Sequence, residues 1–439
     1  MRFFKYLIDK VGSVYILLII ATLLGKFLGL GREAVIAYRF GASHVFDVYL
    51  VVSVVPAMIA SLFIYAIPHI IIPRIGTIND ENRINKIKEY NSYFFWSFTI
   101  LNIVISLVYF LLSPFISKLL LPNIGSVDLV DAIYMSRIFS VYILFAIQFS
   151  LFKTFYSSNR KFILPAYTQL ITHISVISTV YLFANKLSTF SLLVGLVIGV
   201  ILQVLVLIVN LNKLKILKYF KFEVMKYKGL TTSIIIIIFI EFLGQTYSFI
   251  NRSFFDSLPN GYIGAIHYAG IINNLPIAIF AMTLGSIVFP TISEYIKEKK
   301  IIELKRLVLI TITKLLIIVI PIALILFFFS DVVVRILLQR GAFGEQATVL
   351  TASMLMYLAV GLPFVMIHTV LAKIMFAMKK EMCFLYITLF GVAIKYFFTL
   401  WFVKIQWFYG IAFSTSLVYV FTVVLLLVFI LRRNNKYEI

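Results

Sequence analysis

Charge is scarce in this 439-residue chain, and acidic charge is scarcest. Asp and Glu number 18 against 39 Lys and Arg, and charged residues make up only 13% of the whole. There is one cysteine, Cys383, which excludes an intramolecular disulfide. There is no Walker loop, HExxH, GxSxG or Cys/His cluster, and the five histidines are scattered. The usual marks of ATP-driven pumping, metal-assisted hydrolysis and serine nucleophiles are therefore missing. No polar stretch is long enough to house a separate catalytic domain. The chain is read as a non-enzyme without a cofactor or metal.

Apolar sequence is what the chain has in excess. Hydrophobic residues make up 62%, and the mean hydropathy is +1.04. Soluble domains average about 45–50% apolar and about 25% charged residues. Twelve apolar runs are each long enough to cross a bilayer as a helix. They cover about 12–40, 46–73, 91–113, 132–156, 162–184, 189–211, 231–254, 262–293, 307–329, 346–376, 382–403 and 408–431. The fold class expected is an all-α polytopic membrane protein. The first run resembles a signal anchor, but it contains Lys26 and lacks a small-x-small cleavage site, so it is read as a retained span.

A net charge of +21 would suit nucleic acid, but the basic residues sit in short loops between the spans. Of the 39 Lys and Arg, 25 lie on the side that holds both termini and 8 on the other. The remaining six, Lys26, Arg137, Lys153, Lys314, Lys373 and Lys395, lie within spans or at their ends. By the positive-inside rule both termini are cytoplasmic, and no nucleic-acid partner is expected. The basic stretch 213–230 separates residues 1–212, six spans, from residues 231–439, six more. It sets topology, and it also offers cations to anionic headgroups.

The halves repeat one another. At an offset of 220, Arg32 matches Arg252, Gly41 matches Gly261 and Pro56 matches Pro276. The same offset pairs Lys153 with Lys373 and Arg160 with Lys380, whereas SPFISKLLL (113–121) matches SDVVVRILL (330–338) at 217. Six spans per half make this a parallel duplication. It predicts two pseudo-twofold-related six-helix bundles around a central cavity that alternately opens to either side.

Charged residues inside spans are the candidate site, because such groups are costly in a bilayer and face a partner or a cavity. If the first helix ends near residue 31, Arg32 and Glu33 sit among headgroups. If it runs to about 40, they face a cavity, and the duplicate Arg252 favours that reading. Two arginines across a pseudo-twofold axis form a fork for phosphate. Arg39 and Asp47 flank the turn FGASHVFD, as holders of that turn or as its rim. Glu241 and Lys395 lie at comparable depth and are expected to pair, either structurally or as a coupling site for a proton or cation. Lys153 and Lys373 either snorkel to the interface or act as gate contacts to a pyrophosphate. Pro56 and Pro276 should kink their spans. Gln203, Gln245 and Asn251 either line a cavity or bond between helices.

GKFLGLGREAVIAYRFGASHVFDVYLVVSVVP (25–56), LGSIVFPTISEY (284–295) and LLQRGAFGEQATVLTASMLMYLAVGLPFVMIHTVLAKIMFAMKK (337–380) resemble the MurJ/MviN lipid II flippase family. The QRGAF stretch is the most specific of these. The resemblance covers essentially the whole chain and implies the fold of the multidrug, oligosaccharidyl-lipid and polysaccharide exporter superfamily. It makes Arg32 a cavity arginine, Glu33 its acidic neighbour, Lys26 a replacement for an arginine and Asp47 the aspartate after the turn. Two arginines usual after the span 2 proline are Ala60 and Ser61 here, and one usual in span 8 is Ile271. Some members bind sodium in the C-terminal half, where Lys395 would replace the ion. The implied function is flipping of an undecaprenyl-pyrophosphate-linked glycan, lipid II or a surface-polysaccharide repeat unit, in the bacterial cytoplasmic membrane. Its energy would come from the membrane potential, H+ or Na+, and its partners would be membrane lipids and cell-envelope glycan synthesis proteins. The alternatives are a cation-coupled multidrug exporter of the same superfamily and a non-transporting scaffold for glycan assembly. A scarcity of acidic residues argues against a pocket for organic cations.

Overall fold

A computed structural model describes residues 13–76, 83–213, 232–281, 291–292, 294–298 and 300–432. The basic stretch after Lys213, most of the segment 284–295 and the C-terminal residues after Arg432 lie outside these. The described residues contain helices and turns and no strand. In a bilayer the helix is the one open-ended element whose backbone groups are all satisfied within the segment. Ten of the helices are long and apolar enough to cross a membrane. The other two expected spans differ for definite reasons. The first helix carries Lys26, Arg32 and Glu33, and the eighth expected span is described only as far as Ala281.

The chain divides into two compact units, residues 1–40 with 51–234, and residues 41–50 with 235–439. The turn 41–50 thus packs with the second unit although it precedes the linker. The first unit contains α1 (Ser13–Phe40) and most of α2 (His44–Gly76). It also contains α3 (Arg83–Leu120), α4 (Ser126–Ser158), α5 (Ile163–Leu187) and α6 (Phe190–Lys213). Helix α4 packs on α3 and α6, and α5 packs on α1 and α6. The α5–α6 contact is a close one, made by the small residues of VGLVIGV. A Cβ on Gly195 would stand 2.7 Å from the Val176 Cα, and one on Gly199 would stand 2.6 Å from the Thr172 Cα. Small residues four apart let two membrane helices approach backbone to backbone. Gly199→Leu should therefore force the pair apart and cost about 1–3 kcal/mol. A lowered thermal unfolding midpoint of the detergent-solubilised protein would register it.

The second unit contains α7 (Thr232–Ser253), α8 (Tyr262–Pro276), α9 (Ile301–Phe328), the short α10 (Ser330–Leu338), α11 (Glu345–Ala377), α12 (Glu381–Lys404) and α13 (Gly410–Arg432). Helix α11 packs on α8, α9 and α13, and α12 packs on α13. Both units leave large apolar side chains bare on their helices. Leu111 is 66% exposed, Phe115 67%, Ile317 67% and Phe328 70%. A water-soluble protein rarely presents such a surface, whereas lipid tails cover it.

Repeat and structure agree at Gly41 and Gly261, which both have positive φ, +58° and +89°. Each also lacks room for a side chain: a Cβ would stand 2.5 Å from the Ala342 carbonyl oxygen in one case and 2.5 Å from that of Ala42 in the other. Farther along, the register differs from the expectation. Helices α4 and α11 have 33 residues each, and both begin after a glycine, Gly125 and Gly344. Both end in the same turn, with Arg160 and Lys379 at positive φ. There the Lys161 N–H bonds Tyr156 O and the Lys380 N–H bonds Met375 O, both at 2.9 Å. The offset here is 219. Lys153 therefore corresponds to Ala372 and not to Lys373, and one residue is about 100° of rotation on a helix. Helix α2 runs unbroken through Pro56, while after Pro276 the chain widens into a π-turn over Ile277–Ala281.

Candidate functional site

Helix α1 continues to Phe40, so Arg32 and Glu33 lie about two turns inside it and not in a loop. The Arg32 Nε–H donates to Glu33 Oε1 at 3.0 Å, and Nη2 makes a second bond to the same oxygen. Neighbouring helical residues normally point about 100° apart. The pair forms because the long arginine folds back onto the carboxylate. Glu33 is 4% exposed, whereas about a quarter of the Arg32 side chain is open. Tyr142 of α4 lies within electrostatic reach of Arg32, and His173 of α5 within reach of Arg32, Glu33 and Lys26. The first unit thus gathers two cations, one carboxylate, a phenol and an imidazole. Sequence reading missed Tyr142 and His173; their only signal was a polar ring within an apolar run.

Arg39 has a different role. It donates to Asn185 Oδ1 and to Tyr181 O, both at 3.2 Å, and lies over the Tyr38 and Tyr181 rings. It fastens the end of α1 to the end of α5, next to carbonyls that a helix C-terminus leaves open. Lys153 and Lys373 are half-buried, and neither has an ion-pair partner among the described residues. Ala60, where the resemblance implies an arginine, is 1% exposed and packed with Ala146 and Val200. Ser61 donates to the Met58 carbonyl.

In the second unit, Asp47 is 1% exposed. Its Oδ2 accepts the Gly261 N–H and its Oδ1 the Gly264 N–H, both at 2.6 Å. These are among the donors that a helix N-terminus cannot satisfy itself, and the helix dipole also favours a carboxylate there. The phenolic O–H of Tyr268 donates to the Gly41 carbonyl at 3.2 Å. Phe343 of the QRGAF stretch is fully buried and meets the Tyr268 ring edge-on at 5.3 Å. The most family-specific motif therefore holds the turn 41–50 in place.

Arg252 donates from Nη1 to the Leu50 carbonyl at 2.6 Å. It also lines a cavity of about 410 Å³ within the second unit, with Asn251 of α7, His267, Ile271 and Asn273 of α8 and Tyr419 of α13. Among the described residues, no acidic residue lines it. Of the polar residues singled out from sequence, Arg252 and Asn251 come together here, while Glu241 and Lys395 do not join them. The expected Glu241–Lys395 pair does not form. Lys395 is fully buried, and its ammonium donates to Ile411 O, Ser414 Oγ and Thr415 Oγ1, each at 2.8 Å. An ammonium has three N–H donors, and α13 takes all of them.

The profile of the lipid II flippase MurJ family matches residues 36–439. The chain belongs to the MurJ family. Relatives include a probable lipid II flippase MurJ of Borreliella burgdorferi, 23% identical over 97% of this chain and 84% of its own length. Another is the lipid II flippase MurJ of Burkholderia cenocepacia, 23% identical over 80% of this chain and 70% of its own length. Among solved structures, a lipid II flippase MurJ in an inward closed conformation superposes with a TM-score of 0.77 at 22% identity, over 95% of this chain and 88% of that one. An inward-facing multidrug transporter of the MATE family gives 0.68 at 13% identity, covering 93% of both chains. The fold is therefore shared with drug exporters, while the sequence match is to the MurJ family, whose members move a lipid and do not transform it. The chain is a multi-pass membrane protein of that family.

Proposed function

We propose that the chain flips lipid II, or a closely similar polyprenyl-pyrophosphate-linked saccharide, from the inner to the outer leaflet of the cytoplasmic membrane by alternating access. The observation that carries this reading is the MurJ family match over residues 36–439. Both termini are cytoplasmic in this reading, as the basic loops imply.

The chemistry of the first unit is consistent with it. Arg32 presents a planar fork suited to two phosphate oxygens, and Glu33 occupies that fork when no anion is there. A pyrophosphate competes with the carboxylate for the guanidinium, which makes release as well as binding cheap. Lys26 adds a second cation, and Arg252 offers one in the second unit. The membrane potential supplies about 2.3 kcal/mol per charge per 100 mV. With the cytoplasm negative, it drives an anionic headgroup outward.

Lys395 takes the part of a coupling cation in this reading. Its ammonium already holds three oxygens of the kind a sodium ion would need. Replacing sodium by potassium on both sides of proteoliposomes should leave the flipping rate unchanged. Sodium-dependent flipping would remove Lys395 from that role.

The test of the function is reconstitution with fluorescent undecaprenyl-pyrophosphate sugars, following how much becomes accessible outside over time. Fast appearance is expected. No movement of any such lipid by folded protein would favour the drug-exporter reading, which the MATE-like fold permits but which a lining with no acidic residue among the described residues argues against.

A further inference from the structure

We propose that the face of α9 turned away from α11 is the docking surface for one transmembrane helix of another protein, which sets an Asp or Glu against Lys314 inside the bilayer.

Helix α9 has 28 residues and packs on α11, with a buried stripe that includes Val308, Leu315 and Val319. On its opposite side Ile310, Lys314, Ile317, Pro321, Leu324 and Phe328 are all exposed. The others being apolar, this face meets lipid and not a water-filled cavity. Lys314 makes no hydrogen bond or ion pair among the described residues. The nearest charge on the same helix is Arg306, eight residues back, a rise of about 12 Å. A lysine stem spans about half of that, so snorkelling leaves the ammonium in hydrocarbon. A bare charge there is costly, and intramembrane ionisable residues face a partner. The repeat does not supply one. At the offset of 217 that relates these segments, the matching residue of the first unit is Ser97, so the charge was added to the second unit alone.

The occupant follows from what an ammonium at this depth can meet. Phospholipid phosphates stay among the headgroups, and lipid chains carry no acceptor. A second copy of this chain enters the membrane in the same orientation, so a twofold contact through this face sets lysine against lysine. Of the chain's own acids, only Glu33 and Glu241 lie well inside described membrane helices. Glu33 holds Arg32, and Glu241 has interactions of its own. A carboxyl group on a different chain remains. The shape of the face says how it is presented. The six exposed positions are spaced 4, 3, 4, 3 and 4 residues apart, which is the seam on which a second helix packs knobs into holes. One polar residue in such a seam fixes the register and the choice of partner.

The experiment uses the full chain in lipid vesicles, with a donor dye on Cys383, its single cysteine. The probes are synthetic leucine-rich transmembrane helices that carry an acceptor dye and a central Glu, Leu or Lys. Energy transfer should show the Glu helix binding about tenfold more tightly than the Leu helix, and the Lys helix should be rejected. Lys314→Leu should remove the preference for Glu, and Lys314→Arg should keep it. Because Lys314 is exposed, the leucine variant should fold, and its thermal unfolding midpoint should rise. A lower midpoint would give the lysine a role inside its own fold and overturn the docking surface. Equal binding of the Glu and Leu helices by wild type would overturn it too, and so would a Glu preference that survives Lys314→Leu. Energy transfer between donor- and acceptor-labelled copies of the chain, lost in Lys314→Leu, would give the face to a second copy and refute a different partner.

Discussion

Asp47→Ala should lower the thermal unfolding midpoint and abolish flipping, and it should do the first more strongly than any surface substitution. The carboxylate is buried and accepts the N–H groups of Gly261 and Gly264 at 2.6 Å each. Alanine would leave two buried donors at the start of α8 with no acceptor. Each orphaned group costs about 1–3 kcal/mol, and the lost charge–dipole attraction adds to this, for a total of about 2–7 kcal/mol. Asparagine should recover little. It has one acceptor oxygen where two are used, and its amide N–H2 would face a backbone N–H. Glutamate should not rescue either, because Gly264 leaves no slack: a Cβ there would stand 3.1 Å from Asp47 Oδ1. An unchanged midpoint for Asp47→Ala in detergent would show that this contact contributes nothing.

Arg32→Ala should raise the lipid concentration needed for half-maximal flipping by about 10–100-fold, the value of a charge-assisted, bidentate contact. The midpoint of unfolding should move little, because about a quarter of the Arg32 side chain is already open. Arg32→Lys keeps the charge but loses the planar fork, so it should fall between the two. Glu33→Gln should act in the opposite sense on binding. With its competitor weakened, Arg32 should hold a pyrophosphate lipid more tightly and release it more slowly. Apparent affinity would improve while maximal rate falls. Flipping rates measured across a range of lipid concentrations separate the two parameters. If Arg32→Ala leaves the half-maximal concentration unchanged, pyrophosphate binds elsewhere.

Some of this was legible in the sequence. Apolar runs announced the helices, and the duplicated Gly41 and Gly261 marked real turns because positive φ with no space for a side chain admits no substitute. Arg32 and Glu33 stood out because a bilayer makes such residues conspicuous. Other features left no mark. Asp47 is answered by backbone N–H groups more than 200 residues away, and backbone donors are the same in every residue. Lys395 was expected to need a carboxylate, but two hydroxyls and a carbonyl sufficed. The one-residue change of register in α4 and α11 was invisible because an apolar run reads almost the same when shifted by one. Asn273, buried with its Oδ1 unmet among the described residues, was not singled out, because a lone amide in an apolar run gives no sign of its surroundings.

Compliance within the second unit is unevenly distributed. Lys395 staples α12 to α13 through three bonds, so these two helices deform as one stiff piece. Pro276 has no N–H to give its helix, and the π-turn at Ile277–Ala281 loosens the ladder further. Any bending strain applied to this unit therefore collects around residues 276–281. Ile277 forms part of the cavity wall, so the spring of the unit and its cavity share a surface, and load on one is felt by the other.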